Sequence, residues 1–62
     1  MLTLFDISGN LVGVIVVVDV FFTLDDVVYC IDLYTNGKMY SQIVSSEDLD
    51  ELEKTYIVKW RE

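Results

Sequence analysis

At 62 residues the chain is one domain near the lower end of what folds alone, where only about 60% of the unfolded surface is buried, and a second domain is excluded. Eleven Asp and Glu against four Lys and Arg leave a net charge of -7, with no basic residue in positions 1–37, which disfavours direct binding to nucleic acid. The chain has no histidine and a single cysteine, Cys30, so the standard catalytic triads, zinc sites and an internal disulfide are all excluded and a reducing, cytoplasmic home is favoured.

Met1 to Ile7 reads as a first strand, and Ser8-Gly9-Asn10 forms a turn cluster between apolar runs, so the first two strands are expected to pair as a hairpin. The second strand runs from Leu11 to about Phe22 with apolar residues on both faces: Val12, Val14, Val16, Val18 and Val20 on one, Leu11, Ile15, Val17 and Phe21 on the other. Gly13 marks a bulge or a close approach of another chain. The apolar stretch Leu11 to Val18 ends at Asp19, far short of the roughly 20 residues of a spanning helix, and its Val and Ile favour a strand. The reading is therefore a chain outside the membrane.

After a turn around Leu24-Asp25-Asp26, Val27 to Thr35 forms the third strand. Asn36-Gly37 is the clearest local signal, because a two-residue turn in which both residues tolerate positive φ matches the twist of a hairpin. With Lys38 to Val44 as the fourth strand, that turn predicts the register. Leu33 opposes Tyr40, Ile31 opposes Gln42 and Tyr29 opposes Val44 on one face; Tyr34 opposes Met39, Asp32 opposes Ser41 and Cys30 opposes Ile43 on the other.

Ser45-Ser46-Glu47-Asp48 has the form of a helix start, with a serine oxygen for a free backbone N–H and acids at the positive end of the dipole. The helix ends near Lys54. Leu49 and Leu52 make a narrow stripe that docks on the sheet, and Glu47, Asp50 and Glu51 lie on the solvent side. Tyr56 to Trp60 alternates as a last strand. The expected fold is α+β, a small antiparallel sheet of four to five strands with one short helix in the order β-β-β-β-α-β, covering 1–62 as a single domain.

Hydrophobic residues make up 53% of the chain, more than so small a body can hide, so some apolar surface is expected to face a partner. A homodimer that buries the same patch twice meets this need, and Val14, Val16, Val18 and Val20 are the candidate self-association residues. Cys30 reads as a small hydrophobe in the sheet, since no cation lies near it in sequence to lower its pKa.

No enzyme activity and no cofactor are expected. The serines read as turn, strand and cap residues with no base beside them, and the body leaves little room for a substrate cleft. A calcium loop needs a central glycine, which the acidic run lacks, so no metal is expected either. That run, with five acids in the seven positions Glu47 to Glu53, is the densest feature of the chain. Carboxylates one helical turn apart are separated by about 5 to 6 Å, and two apart on a strand by about 6.6 Å, so rows of them approximate the spacing of backbone phosphates.

The charge profile resembles that of the small phage-encoded DNA mimics that inhibit host proteins such as uracil-DNA glycosylase or the nucleoid protein HU. The resemblance lies in Glu47 to Glu53, in Asp19, Asp25, Asp26 and Asp32, in the scarcity of basic residues and in the sheet-plus-helix plan. It implies a non-enzymatic inhibitor in the host cytoplasm, often a dimer, that occludes the groove of a basic DNA-binding protein. Asp25, Asp26, Asp32, Glu47, Asp48, Asp50, Glu51 and Glu53 would stand in for phosphates, and Tyr34, Tyr40 or Trp60 would add an aromatic contact. The alternative expectation is a small dimeric interaction or assembly protein that acts through an exposed apolar sheet surface, with the charge serving solubility.

Overall fold

A computed structural model describes residues 1–60 as a five-stranded antiparallel sheet with one helix. The strands are β1 (Leu2–Phe5), β2 (Leu11–Phe22), β3 (Val27–Thr35), β4 (Lys38–Ser45) and β5 (Ile57–Trp60), and the helix α1 (Ser46–Thr55) lies between β4 and β5 in the chain. In space the order is β4-β3-β2-β1-β5, so α1 carries the chain from one edge of the sheet to the other. The expected small α+β fold is what the chain forms. The first strand is shorter than Met1 to Ile7, because Asp6 leaves the ladder to build the turn. Its backbone N–H donates to Asn10 O and its carboxylate accepts from Asn10 N–H, both at 2.9 Å, while Gly9 takes φ 86°.

Asn36 and Gly37 take φ 52° and 72°, the positive pair that a tight hairpin turn requires. The β3–β4 register is the one expected from that turn, from Thr35↔Lys38 through Tyr34↔Met39 and Asp32↔Ser41 to Val28↔Ser45. At the helix start, Ser45 Oγ accepts from Asp48 N–H while Asp48 Oδ2 accepts from Ser45 N–H, a reciprocal capping box that satisfies two backbone donors. The helix lays Leu49 and Leu52 against the sheet.

Beneath the helix sits the core: Leu2, Leu4, Ile15 and Ile31, each no more than 4% exposed, ringed by residues such as Val17, Tyr29, Leu33, Val44 and Val58. Four buried side chains are a small core for a chain with this much apolar content, and the reason is geometric. One ten-residue helix covers one face of the sheet, and among the described residues no element packs over the other, where Thr3 is the one buried side chain.

Two bulges in β2 decide which of its side chains reach that core. Between Leu4↔Gly13 and Phe5↔Leu11, Val12 is an extra residue that turns toward the helix side, and Thr35 Oγ1 donates to its displaced carbonyl at 2.9 Å. A second bulge at Val18 separates Val17↔Ile31 from Asp19↔Cys30. The single row Val12, Val14, Val16, Val18, Val20 expected from alternation is therefore corrected. Val14 and Val16 stay on the uncovered face with Val18 beside Cys30 and Ile43, whereas Val12 and Val20 lie on the helix side, Val20 opposite Tyr29. Each inserted residue flips the parity of everything beyond it. Gly13 meets a neighbouring backbone within its own sheet: a Cβ there would lie 3.0 Å from Tyr34 O.

Candidate functional site

The strand registers assign the uncovered face in rows. Lys59, Thr3, Val14, Tyr34 and Met39 form one row across all five strands. Val16, Asp32 and Ser41 form the next, followed by Asp19, Cys30 and Ile43, and then by Phe21 and Val28. Phe5, flanked by Ile57 and Leu11, closes the opposite end. Most of these positions are apolar. Several of the side chains are open to solvent, with Ile43 73% exposed, Met39 55% and Phe21 53%.

The charges on this face are few and unevenly placed. Asp19 and Asp32 sit on β2 and β3, and Asp32 Oδ1 accepts from Ser41 Oγ at 2.9 Å. Lys59 lies on β5, with its ammonium 5.4 Å from the centroid of the Phe5 ring. One side of the face is thus acidic and the other basic. Cys30 lies half-buried on it between Asp19 and Ile43.

The eight carboxylates expected to imitate phosphates do not share a surface. Asp25 and Asp26 are at the β2–β3 tip, Asp32 is on the uncovered face, and the other five are on the helix over the opposite face. Four of the eight hold partners within the molecule. Asp26 Oδ1 accepts from Ser46 Oγ and from Val27 N–H, which fastens the hairpin tip to the helix start. Those two hydrogen bonds, the serine's the larger, hold its carboxyl below the usual carboxylate range. Asp48 closes the capping box, Asp32 takes the Ser41 hydroxyl, and Glu51 accepts from Lys54 Nζ at 2.9 Å. Glu47 and Asp50 share the outward stripe of the helix with that ion pair, as expected, and Glu53 flanks it.

The aromatic candidates are divided too. Tyr34 stands on the uncovered face, but Tyr40 and Trp60 end the row Trp60, Leu2, Ile15, Leu33, Tyr40 on the helix side, at opposite edges of the sheet. Sequence reasoning missed Phe5, Phe21, Met39, Ile43 and Ile57 as members of the uncovered face, where all but the half-buried Phe5 are exposed. For Met39 and Ile43 the signal was present, since the Asn-Gly register already placed them beside Tyr34 and Cys30. The others depend on the bulges and on the pairing of β5.

On the helix side a groove of about 340 Å3 runs between α1 and the sheet, walled by Leu4, Val12, Ile15, Leu33, Leu49 and Leu52. It is the imperfectly filled seam of the core. Among the described residues no three carboxylate or thiol side chains converge as a metal site, and no helix is long and apolar enough to cross a membrane. No family model, no curated protein and no solved structure matches the chain.

Proposed function

We propose that this protein acts by binding, without chemistry of its own, and that the uncovered apolar face of the sheet is its working surface. The observation that carries this reading is the segregation of the molecule. A continuous face built from all five strands, crossed among the described residues by three charged side chains, is left open beside a core of four residues. Contiguous apolar surface on a folded domain marks an interface, and here it takes up one whole layer of the structure. The net charge of -7 keeps such a surface in solution and disfavours nucleic acid as the partner.

A second reading, occlusion of a basic DNA-binding groove by the acidic helix, is supported by Glu47, Asp50 and Glu51 on one outward stripe with Lys54 as the helix's one cation. Its weakness is the dispersal of the other acids. Affinity capture from a cell lysate at low and high salt, with wild type, Val16→Arg and Asp50→Lys/Glu51→Lys, separates the two. Capture that survives high salt and is lost with Val16→Arg supports the apolar face. Capture that fades with salt and is lost with the helix variant supports mimicry and sinks the first reading.

A further inference from the structure

We infer that the unpaired edge of β2 at Asp19, Val20, Phe21 and Phe22 is a docking site for an extended segment of a partner protein, apolar on alternate residues and basic between them, which adds a strand to the sheet. This site is an edge of the sheet and does not depend on the open face. It arises from a mismatch of strand lengths. β2 has 12 residues and β1 has 4, and β1 pairs with β2 no farther than Leu2↔Ile15. Beyond that point β3 covers one edge of β2, and among the described residues no strand covers the other.

The phase of the hydrogen bonds shows what this edge offers. Thr23 N–H donates to Asp26 O at 2.8 Å, so the hairpin closes on a bonded pair, and bonded pairs alternate along an antiparallel ladder. Phe21↔Val28 and Asp19↔Cys30 are then the bonded pairs, and Val20 and Phe22 turn their N–H and C=O groups outward. Consistent with that phase, the Val20 N–H donates to the carboxylate of its neighbour Asp19 at 2.8 Å. Outward ladder groups of this kind are the template for strand addition. The end strands have open edges as well, but β4 is polar at Lys38, Ser41 and Gln42, and β5 has 4 residues with Lys59 among them. On β2, Asp19 is the one polar residue in positions 16–22.

Side chains define the chemistry of the segment. On the helix side of the sheet an added strand lies beside Val20 and Phe22, the latter 80% exposed, and on the other side beside Asp19 and Phe21. Apolar residues are therefore favoured toward the first side and a lysine or arginine toward the second. A carbonyl of the incoming strand takes over the Val20 N–H, and the Asp19 carboxylate it displaces turns to the basic residue. A second copy is disfavoured here by charge. Antiparallel pairing of two such edges sets Asp19, Asp25 and Asp26 of each copy within a few residues of the same acids of the other, with no basic residue in positions 1–37 to offset them.

Titration of the 62-residue chain with blocked hexapeptides, followed by nuclear magnetic resonance, tests this. A peptide alternating valine and lysine is expected to bind saturably and, at saturation, to slow hydrogen exchange of the Val20 and Phe22 amides about tenfold or more. The valine–glutamate counterpart, and a valine–lysine peptide N-methylated at every residue, are each expected to bind about tenfold more weakly or worse. Asp19→Lys, with circular dichroism to confirm its sheet, is expected to reverse the preference between the lysine and glutamate peptides. No binding of the valine–lysine peptide overturns the proposal. Equal binding of the methylated peptide, or unchanged exchange at Val20 and Phe22, also overturns it and leaves only the attraction of a cation to an acidic chain. Amides at Val20 and Phe22 that are slow without peptide and become fast on dilution identify a second copy as the occupant and overturn the partner segment.

Discussion

The two faces of the sheet are made of nearly the same materials and have different fates. Ile15 and Val16 are neighbours on β2, both β-branched and both flanked by apolar residues on adjacent strands, yet Ile15 is 2% exposed while Val16 is only half-buried. The difference is the helix, which carries Leu49 and Leu52 over Ile15 and has no counterpart over Val16. Apolar composition therefore shows how much surface seeks cover, and the path of the connection from β4 to β5 decides which surface receives it within the chain.

The strongest way to break the comparison is to truncate one member of each face. A chain of this length has a total stability of about 3 to 9 kcal/mol. Ile15→Ala is expected to remove about 2 to 5 kcal/mol, enough to leave a large unfolded population in urea titrations at any protein concentration. Val16→Ala, at a half-buried position, should cost less than about 1.5 kcal/mol by the same titration. Equal losses at the two positions would erase the distinction between the faces.

Gly13→Ala is next in size. The added Cβ would stand 3.0 Å from the backbone oxygen of Tyr34, and a strand inside the sheet gives way less readily than a side chain, so a loss of about 1 to 3 kcal/mol is expected by the same titration. Ser45→Ala attacks the cover itself by opening the capping box, with an expected loss of about 0.5 to 2 kcal/mol and a matching fall in helical ellipticity.

The smallest effect concerns the latch between the hairpin tip and the helix. Asp26 titrates lower in the folded chain than in the unfolded one, because the Ser46 hydroxyl and the Val27 N–H favour its ionised form. Its contribution is thus present above the ordinary carboxylate value and is lost as pH falls through that value toward the lowered one. Asp26→Asn should flatten the fall of stability below about pH 4 relative to wild type, measured by thermal unfolding across pH. Ser46→Ala should produce the same flattening in part, since the Val27 hydrogen bond survives.

Much of the fold was legible because its signals are local. Asn36 and Gly37 specify a turn whose φ angles only such residues adopt easily, and from that turn every β3–β4 pair follows by counting. Ser45 and Asp48, three residues apart, specify the helix start through bonds that close within one turn. The candidate site was less legible. Acid density along the chain suggested one surface, but Asp25, Asp32 and Glu47 are brought to three different places by the hairpin, the sheet and the crossover.

By itself, then, the sequence determined the order of the elements, the two tight turns, the β3–β4 register and the excess of apolar surface, all of which follow from neighbours a few residues apart. Tertiary structure alone decided that Val12 and Val20 leave the row of Val14 and Val16, since a bulge is visible only against the partner strand. It also decided that β5 pairs with β1, that α1 lies over Ile15 and Ile31, and that the face with Val16, Asp32 and Lys59 stays open. The physical reason is that either side of β2 is apolar enough to be a core. Only the landing of one ten-residue helix, set by contacts far apart in the chain, breaks that degeneracy.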